Sequence, residues 1–324
     1  MSSINDTPAA SGPKLERRGL RFGDVTFKAV AVTAAAGSTA LLGLIAWKVF
    51  DLAWPSIQEF GLEFLWTAEW NPATDVYGAL VFIYGTLLTS AIALMLATPI
   101  SIAIALFLTE MAPRRLAGPI ATMIELLAAI PSVVLGLWGI LVFGPWVAEH
   151  LEPFIQDTLH LGFLPIFSGE PNQAGILPAS LVLTIMIIPI TSAICRELFS
   201  RTPRELMDGA MALGSTRWEA IRGVMFAYAA PGIVAAVLLG LGRAFGEAIA
   251  VTQTIGAAND IHWSWFETGD TLASRIASQY QGATSQLQAG SILYLAAILM
   301  VISLVTNVAA QVVVNKFERS RRAM

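Results

Sequence analysis

The amino-acid sequence predicts an all-α membrane protein with six transmembrane helices. Of its 324 residues, 56% are hydrophobic and only 13% are charged, whereas an average soluble domain has about 25% charged residues. The apolar residues are concentrated in blocks of roughly 20 or more positions, the length that a helix needs to cross about 30 Å of hydrocarbon. This composition excludes an ordinary soluble enzyme of the same length.

The apolar blocks lie between a polar start and a polar end. Residues 1–24 are polar and basic and lack the apolar core of a secretory signal, so they are predicted to form a tail. We expect a transmembrane domain over residues 25–316 and a second tail over 317–324. The periodicity predicts six spans, at 25–50, 77–109, 122–146, 176–198, 230–256 and 288–315.

The distribution of lysine and arginine predicts the orientation. Of the 19 basic residues, 16 lie in the two terminal regions and the entry of the first helix, at Arg114 and Arg115, or in the segment that contains Arg196, Arg201, Arg204, Arg217 and Arg222. The loops at 51–76, 147–175 and 257–287 are acidic and contain one basic residue, Arg275. Because basic loops stay in the cytoplasm, we expect both termini and the loop between spans four and five to be cytoplasmic, in a multi-pass protein of the cell membrane.

Cysteine and histidine usage excludes several kinds of site. The single cysteine, Cys195, rules out a disulfide framework, and three histidines without a second cysteine do not give the usual zinc or iron–sulfur spacings. We therefore expect this chain to bind no metal or cofactor.

The fifth predicted span contains two charges that are costly in a membrane. Arg243 lies near the middle of 230–256 and Glu247 follows four residues later, so a continuous helix places both side chains on one face. Intramembrane ionisable residues usually mark a substrate path, and a guanidinium binds oxyanions in a forked geometry. The alternative is a buried ion pair that attaches this helix to a neighbour, assisted by close packing at Gly242 and Gly246. Glu125, in the third predicted span, is expected at the membrane interface.

The same face of the fifth span is otherwise composed of small residues. It carries Ala236, Gly240, Ala250 and Thr254 beside the two charges. A small and polar stripe on a membrane helix is typical of a surface that lines a path or contacts another helix.

The loop at about 199–229 has the pattern of two short helices joined by a glycine. Pro203 suits a first helical turn behind Thr202 as a cap, and Gly214 ends the helix before a second helix begins at Ser215 or Thr216. Such a surface suits the transmission of force from a soluble partner. An interfacial amphipathic connector without a partner is the alternative.

The sequence contains no motif that would let this chain hydrolyse a nucleotide to drive uphill transport. A nucleotide-binding P-loop requires G-x-x-x-x-G-K-S/T, and none of the four lysines lies in that context. The chain is therefore not expected to be an enzyme. An ion-coupled carrier acting alone is an alternative, although its usual inverted repeats are not visible. A membrane scaffold or sensor without transport is a third interpretation.

The loop resembles the coupling loop of the permease subunits of ABC importers. Their pattern is E-A-A, three residues, G, nine residues, I-x-L-P, and Asp208, Gly209, Ala210 and Gly214 fall on its spacing. The chain departs from it with Asp for Glu, Gly for the first Ala and Ala227 for Pro. Further segments are similar to phosphate-importer permeases over about residues 25–316: Gly-Thr-Leu-Leu-Thr-Ser at 85–90, Ile-Pro-Ser-Val-Val-Leu-Gly-Leu-Trp-Gly at 130–139, Ala-Leu-Gly-Ser-Thr-Arg-Trp-Glu at 212–219 and Gly-Arg-Ala-Phe-Gly-Glu-Ala-Ile-Ala-Val at 242–251.

This resemblance implies the type I ABC importer permease fold, called MetI-like. It also implies import of inorganic phosphate, with a second, PstA-like permease, two copies of a PstB-like ATPase subunit that uses ATP and Mg, and a PstS-like extracytoplasmic binding protein. Arg243 and Glu247 are then expected on the substrate path. The residues expected to couple to the ATPase are Glu205, Asp208, Gly209, Ala210 and Gly214. A permease for another oxyanion, sulfate or molybdate, remains the alternative within this class.

Overall fold

The computed structural model describes residues 22–322, apart from the side chains of residues 22–24, 114, 313 and 316–322. This part of the chain is helical, and its only extended pairings are isolated bridges between Asn71 and Val76 and between Gly256 and Gly269. The chain divides into two units, residues 1–48 and 49–324. Every site described below lies in the second unit. The predicted tail at 1–24 lies almost entirely outside the described residues.

The described chain forms twelve α-helices, several of them extended by short π-helical turns. Their bounds are α1 Phe22–Phe60, α2 Leu80–Leu106, α3 Arg114–Ala128, α4 Ser132–Trp138, α5 Gly144–Trp146, α6 Ile176–Ser200, α7 Arg204–Ala212, α8 Arg217–Ala220, α9 Phe226–Gly246, α10 Ile249–Thr254, α11 Leu272–Gln279 and α12 Gln286–Arg322.

Six helical stretches of the described residues are long and apolar enough to cross a membrane, which confirms the predicted number. They are Val25–Leu65, Leu80–Met111, Ser132–Thr158, Ile176–Ser200, Arg217–Gly246 and Gln286–Val312. The third begins ten residues later than predicted and the fifth ends ten residues earlier.

Two prolines shift the third span. Pro113 precedes α3 and Pro131 precedes α4, and both have extended backbone angles. Proline has no N–H to donate and therefore suits the start of a helix and not its interior. Residues 122–128 consequently belong to the separate helix α3. The Glu125 carboxylate on this helix lies 2.5 Å from Arg196 of α6, and both side chains are partly exposed.

The centre of the second unit is the contact between α2 and α6. Ala93 and Ala97 on α2 pack against Ala179, Leu183 and Ile187 on α6. Small residues bring membrane helices close enough for polar groups to bond between them. The Ser101 hydroxyl on α2 accordingly donates to the carbonyl oxygen of Ile188 at 3.3 Å.

The α10–α12 connection, residues 255–285, is fastened to this centre by backbone contacts. A Cβ on Gly85 of α2 would lie 1.9 Å from the carbonyl oxygen of Asp270, so only glycine permits this approach. The N–H of Leu272 donates to the Thr86 hydroxyl at 2.9 Å. The first turn of α6 donates to carbonyls of the connection, with Ile176 bonding Glu267 at 3.0 Å, which satisfies groups that a helix start leaves unpaired.

Candidate functional site

The fifth span breaks at its charged motif. Helix α9 ends at Gly246, Glu247 has extended backbone angles (φ −75°, ψ 105°), and the chain resumes as α10 at Ile249. The prediction of one continuous helix over 230–256, with Arg243 and Glu247 on a shared face, is therefore wrong. Three glycines between 240 and 246 lower the helix propensity of this stretch, each by about 1 kcal/mol relative to alanine.

The break gives the two charges different partners. One Glu247 carboxylate oxygen accepts the backbone N–H of Ala250 at 3.3 Å and so caps α10. Arg243 lies in the last turn of α9, where a cation is favoured by the helix dipole. Its Nε is buried and has no hydrogen-bond partner in the described part of the chain, and no ion pair joins it to Glu247 among the described residues. A guanidinium N–H is thus available to an acceptor that this chain does not supply.

The glycines of α9 also differ in their surroundings. A Cβ on Gly240 would lie 3.0 Å from Ile187 and 3.2 Å from the Thr191 hydroxyl, so Gly240 packs against α6. A Cβ on Gly242 or Gly246 would meet nothing within 4 Å. Arg243 therefore lies between a face of α9 that is packed within this chain and a face that is open.

The hydroxyl groups on α2 and α6 differ in whether they have a hydrogen-bond partner. Thr89 donates to the carbonyl of Gly85 in its own helix at 2.7 Å, as small polar side chains in membrane helices usually do. Ser90 on α2 and Thr191 on α6 are buried, and their hydroxyl oxygens have no partner in the described residues. The sequence alone could not separate these two residues from the other hydroxyls.

The α6–α9 connection, residues 201–225, contains the two short helices that the sequence predicts. Helix α7 ends before Gly214, whose φ of +94° is strained for any residue with a side chain. Thr216 and Glu219 then form a capping box at the start of α8. At the start of α7, however, Thr202 does not cap; the helix begins one residue after Pro203 and no side chain caps it.

This connection presents apolar side chains to its surroundings. Leu206, Leu213 and Trp218 are exposed, with Leu213 at 90%, and Glu205, Asp208, Gly209 and Gly214 are exposed beside them. Ala210 is half-buried. Large apolar side chains that are exposed among polar residues are typical of a protein interaction site.

The connection is joined to the spans by apolar packing and by an ion pair. Met207 of α7 packs in a cluster with Phe199 and Met225. The Arg217 guanidinium lies 3.1 Å from the Glu110 carboxylate and also donates to the Glu110 carbonyl oxygen. A displacement of α7 and α8 would therefore be transmitted to the ends of α2 and α6.

A buried ion pair fixes the α10–α12 connection, and sequence reasoning missed it. Arg275 Nε lies 2.8 Å from Asp270 Oδ2, with the two side chains 4% and 0% exposed. The guanidinium also stacks on the Phe82 ring at 4.6 Å and donates to Asn259 at 2.5 Å. Burial raises the pKa of the Asp270 carboxyl, and the Arg275 guanidinium opposes that rise. The available signal was that Arg275 is the one basic residue in an acidic loop.

Comparison with known proteins places this architecture in a family. Residues 97–319 match the family described as "Binding-protein-dependent transport system inner membrane component". The chain is 38% identical over 307 residues to "Phosphate transport system permease protein PstC" of Mesorhizobium japonicum, covering 94% of each chain. It is 42% identical over 283 residues to the protein of the same name from Pasteurella multocida, covering 86% of this chain and 88% of that one.

Solved structures share the fold at low sequence identity. A subunit of a bacterial alginate ABC transporter superposes with a TM-score of 0.60 and 15% identity, covering 91% of this chain and 98% of that one. A subunit of the MetNI methionine ABC transporter gives a TM-score of 0.52 and 16% identity, covering 73% and 96%. These similarities confirm the predicted MetI-like permease fold.

Proposed function

The chain belongs to the family of binding-protein-dependent transport inner membrane components and, within it, to the PstC phosphate transport permeases, and we propose that Arg243 receives phosphate on its translocation path. As a member of this family it is a multi-pass plasma-membrane protein and a permease subunit of a phosphate ABC importer. Subunits of this kind are not themselves catalytic.

The observation that carries the proposal is the unpartnered guanidinium at the helix break. Arg243 Nε is buried without an acceptor in the described residues, and leaving a buried charged donor unpaired is costly. A phosphate oxygen supplies the missing acceptor in a charge-assisted hydrogen bond. The open side of α9, at Gly242 and Gly246, gives the ion access to this position when a second permease subunit lies opposite.

Glu247 limits the affinity of the site. Its carboxylate holds the start of α10 and lies four residues after Arg243. A negative charge near the guanidinium keeps the anion from binding too tightly for onward transfer, and the carboxylate can accept a hydrogen bond from a protonated phosphate oxygen.

Hydrolysis of ATP is assigned to partner subunits. The exposed surface of Leu206, Leu213 and Trp218 suits docking of a PstB-like ATPase that binds ATP and Mg. The predicted coupling residues Glu205, Asp208, Gly209, Ala210 and Gly214 lie on the same connection. A movement of the α6–α9 connection would be transmitted to α2 and α6 through the packing of Met207 and through the ion pair of Arg217 with Glu110.

The assembled importer also needs a PstA-like permease and a PstS-like extracytoplasmic binding protein. In this arrangement both termini and the α6–α9 connection are cytoplasmic, as the positions of lysine and arginine indicate. We propose that the chain itself binds no cofactor.

The test replaces Arg243 in the assembled transporter. We expect Arg243→Gln to lower phosphate uptake by about tenfold or more, because it removes charge-assisted hydrogen bonds to the anion. Arg243→Lys keeps the positive charge but loses the two-bond geometry of the guanidinium, so its phosphate uptake should lie between that of Arg243→Gln and that of the unaltered transporter. Arg201→Gln is the control, because Arg201 pairs with Glu197 in an exposed contact. Normal uptake by assembled Arg243→Gln would refute the role.

Competition separates phosphate from other oxyanions. We expect excess sulfate or molybdate to leave labelled phosphate uptake unchanged. Uptake that either anion inhibits strongly would assign the path to a different oxyanion, while leaving the permease function in place.

A further inference from the structure

The start of α7 has unsatisfied backbone donors. Pro203 precedes the helix with extended angles (φ −59°, ψ 127°), and no side chain caps it. The Pro203 carbonyl accepts the N–H of Leu206 at 3.2 Å, and no acceptor for the N–H groups of Arg204 or Glu205 is found in the described chain. By contrast, the Thr216 side chain accepts the N–H of Glu219 in a capping box at the start of α8. Free N–H groups at a helix start attract anions.

A second, independent feature lies beside these donors. Thr202 is only 7% exposed, and its hydroxyl has no hydrogen-bond partner in the described residues. A buried hydroxyl without a partner carries a desolvation cost of about 1–3 kcal/mol. The sequence Thr-Pro-Arg-Glu predicts that this hydroxyl caps α7, yet the structure leaves both the hydroxyl and the helix start without partners.

Thr202 and Arg204 border a cavity of about 820 Å³ between the α6–α9 connection and the ends of α2 and α6. Its cationic residues are Arg196, Arg204 and Arg217, and its acidic residues are Glu110, Glu197 and Asp208. Glu110 is paired with Arg217 and Glu197 with Arg201, so these two carboxylates are already balanced. Arg204 and Asp208 are the charged residues of the lining without an ion pair in the described residues, and Arg204 also carries one of the free N–H groups.

We propose that this cavity binds a phosphate group at the start of α7, through the Thr202 hydroxyl and the backbone N–H and guanidinium of Arg204. The remaining wall includes Phe199, Met207 and Met225. The volume admits either free inorganic phosphate or the phosphate headgroup of an anionic lipid, since the apolar wall tolerates an acyl chain. Both sources offer the same oxyanion chemistry.

The position gives the bound group a regulatory consequence, which rests on the proposed function. The site lies at the hinge between α6 and the connection that is proposed to dock the ATPase. A phosphate held there bonds α7 to the end of the fourth span and restrains the movement that coupling requires. In the proposed orientation the cavity opens to the cytoplasm, so imported phosphate would slow its own uptake.

The experiment measures thermal stability of the assembled transporter in nanodiscs during titration with inorganic phosphate. All variants carry Arg243→Gln, so that binding at the translocation site does not contribute. Thr202→Val removes the unpartnered hydroxyl, with Thr202→Ala as a second variant in case the first does not assemble. Thr202→Ser keeps the hydroxyl. Ser200→Ala is the matched control, because Ser200 lines the same cavity but its hydroxyl is already bonded to the Glu197 carbonyl at 2.8 Å.

Two lipid compositions distinguish the sources. In phosphatidylcholine discs, free phosphate as the ligand predicts that Thr202→Val raises the half-saturating concentration by about tenfold or more, with Ser200→Ala and Thr202→Ser unchanged. If the ligand is a lipid headgroup, phosphate has no effect, and phosphatidylglycerol discs stabilise every variant except Thr202→Val and Thr202→Ala, which lack the hydroxyl. Identical behaviour of Thr202→Val and Ser200→Ala in both series would overturn the proposal. Uptake by Arg243→Gln alone tests the proposed function separately.

Discussion

Breaking the ion pair between Asp270 and Arg275 should strongly destabilise the fold. The pair is 2.8 Å long and almost fully buried, at 0% and 4% exposure. Arg275→Met leaves the Asp270 carboxylate buried without its counter-charge and removes the stacking on Phe82 at 4.6 Å. Removing one partner of a buried pair costs about 3–5 kcal/mol, a factor of about 150–5,000 in the folding equilibrium.

A surface pair of the same length provides the control. Arg201 Nε and Glu197 Oε1 are also 2.8 Å apart, but their side chains are 71% and 61% exposed. An exposed pair contributes about 0–1 kcal/mol, so Arg201→Met should cost little. Because the two ion pairs have the same length and differ in burial, comparing the two substitutions isolates the effect of desolvation.

The assay is the free energy of unfolding of the purified chain, measured by titration with sodium dodecyl sulfate in mixed micelles. The double variant Asp270→Leu with Arg275→Met should recover most of the loss, because apolar residues of similar volume often replace a buried pair without cost. Equal destabilisation by Arg275→Met and Arg201→Met would refute the reasoning. A double variant as unstable as the single one would show that packing on Phe82, and not the charge, is what matters.

Three glycines give further predictions. Gly85→Ala should destabilise the chain by about 1–3 kcal/mol, because its Cβ would lie 1.9 Å from a backbone oxygen of the α10–α12 connection; thermal unfolding tests this, and a change no larger than that of Gly118→Ala, which meets nothing within 4 Å, would contradict it. Gly214→Ala should lower stability by about 1–2 kcal/mol because of its φ of +94°, whereas helical Gly209→Ala should raise it by about 1 kcal/mol; effects of the same sign in the melting of the purified chain would disprove this pairing.

Most of the fold could be read from local composition. Six apolar blocks predicted six spans, and the prediction was confirmed. The predicted span boundaries were wrong where a proline or a group of glycines ends a helix within an apolar block. Pro131 starts a new helix after α3, and the glycines before Glu247 end α9 within an apolar block. Hydropathy averages over a window and therefore does not register a break of two residues.

The candidate site was predictable only in part. Arg243 was identifiable because a charge within an apolar block is costly wherever it lies. Its partnership with Glu247 was not, because the four-residue spacing brings side chains together only in an unbroken helix. Thr202 shows the same limit, since its sequence context fits a cap that the backbone at Pro203 does not form.

The sequence by itself determined the class of protein, the number of spans, the expected sidedness and the residues too polar for a membrane, because each of these depends on transfer from water to hydrocarbon and is additive along the chain. The tertiary structure decided which polar groups are paired. Arg275 is buried against Asp270 from its own loop and Phe82 from a distant span, while Arg243, Ser90, Thr191 and Thr202 retain unpartnered atoms in the described residues. Pairing depends on distances between segments far apart in sequence, and no local pattern encodes those distances.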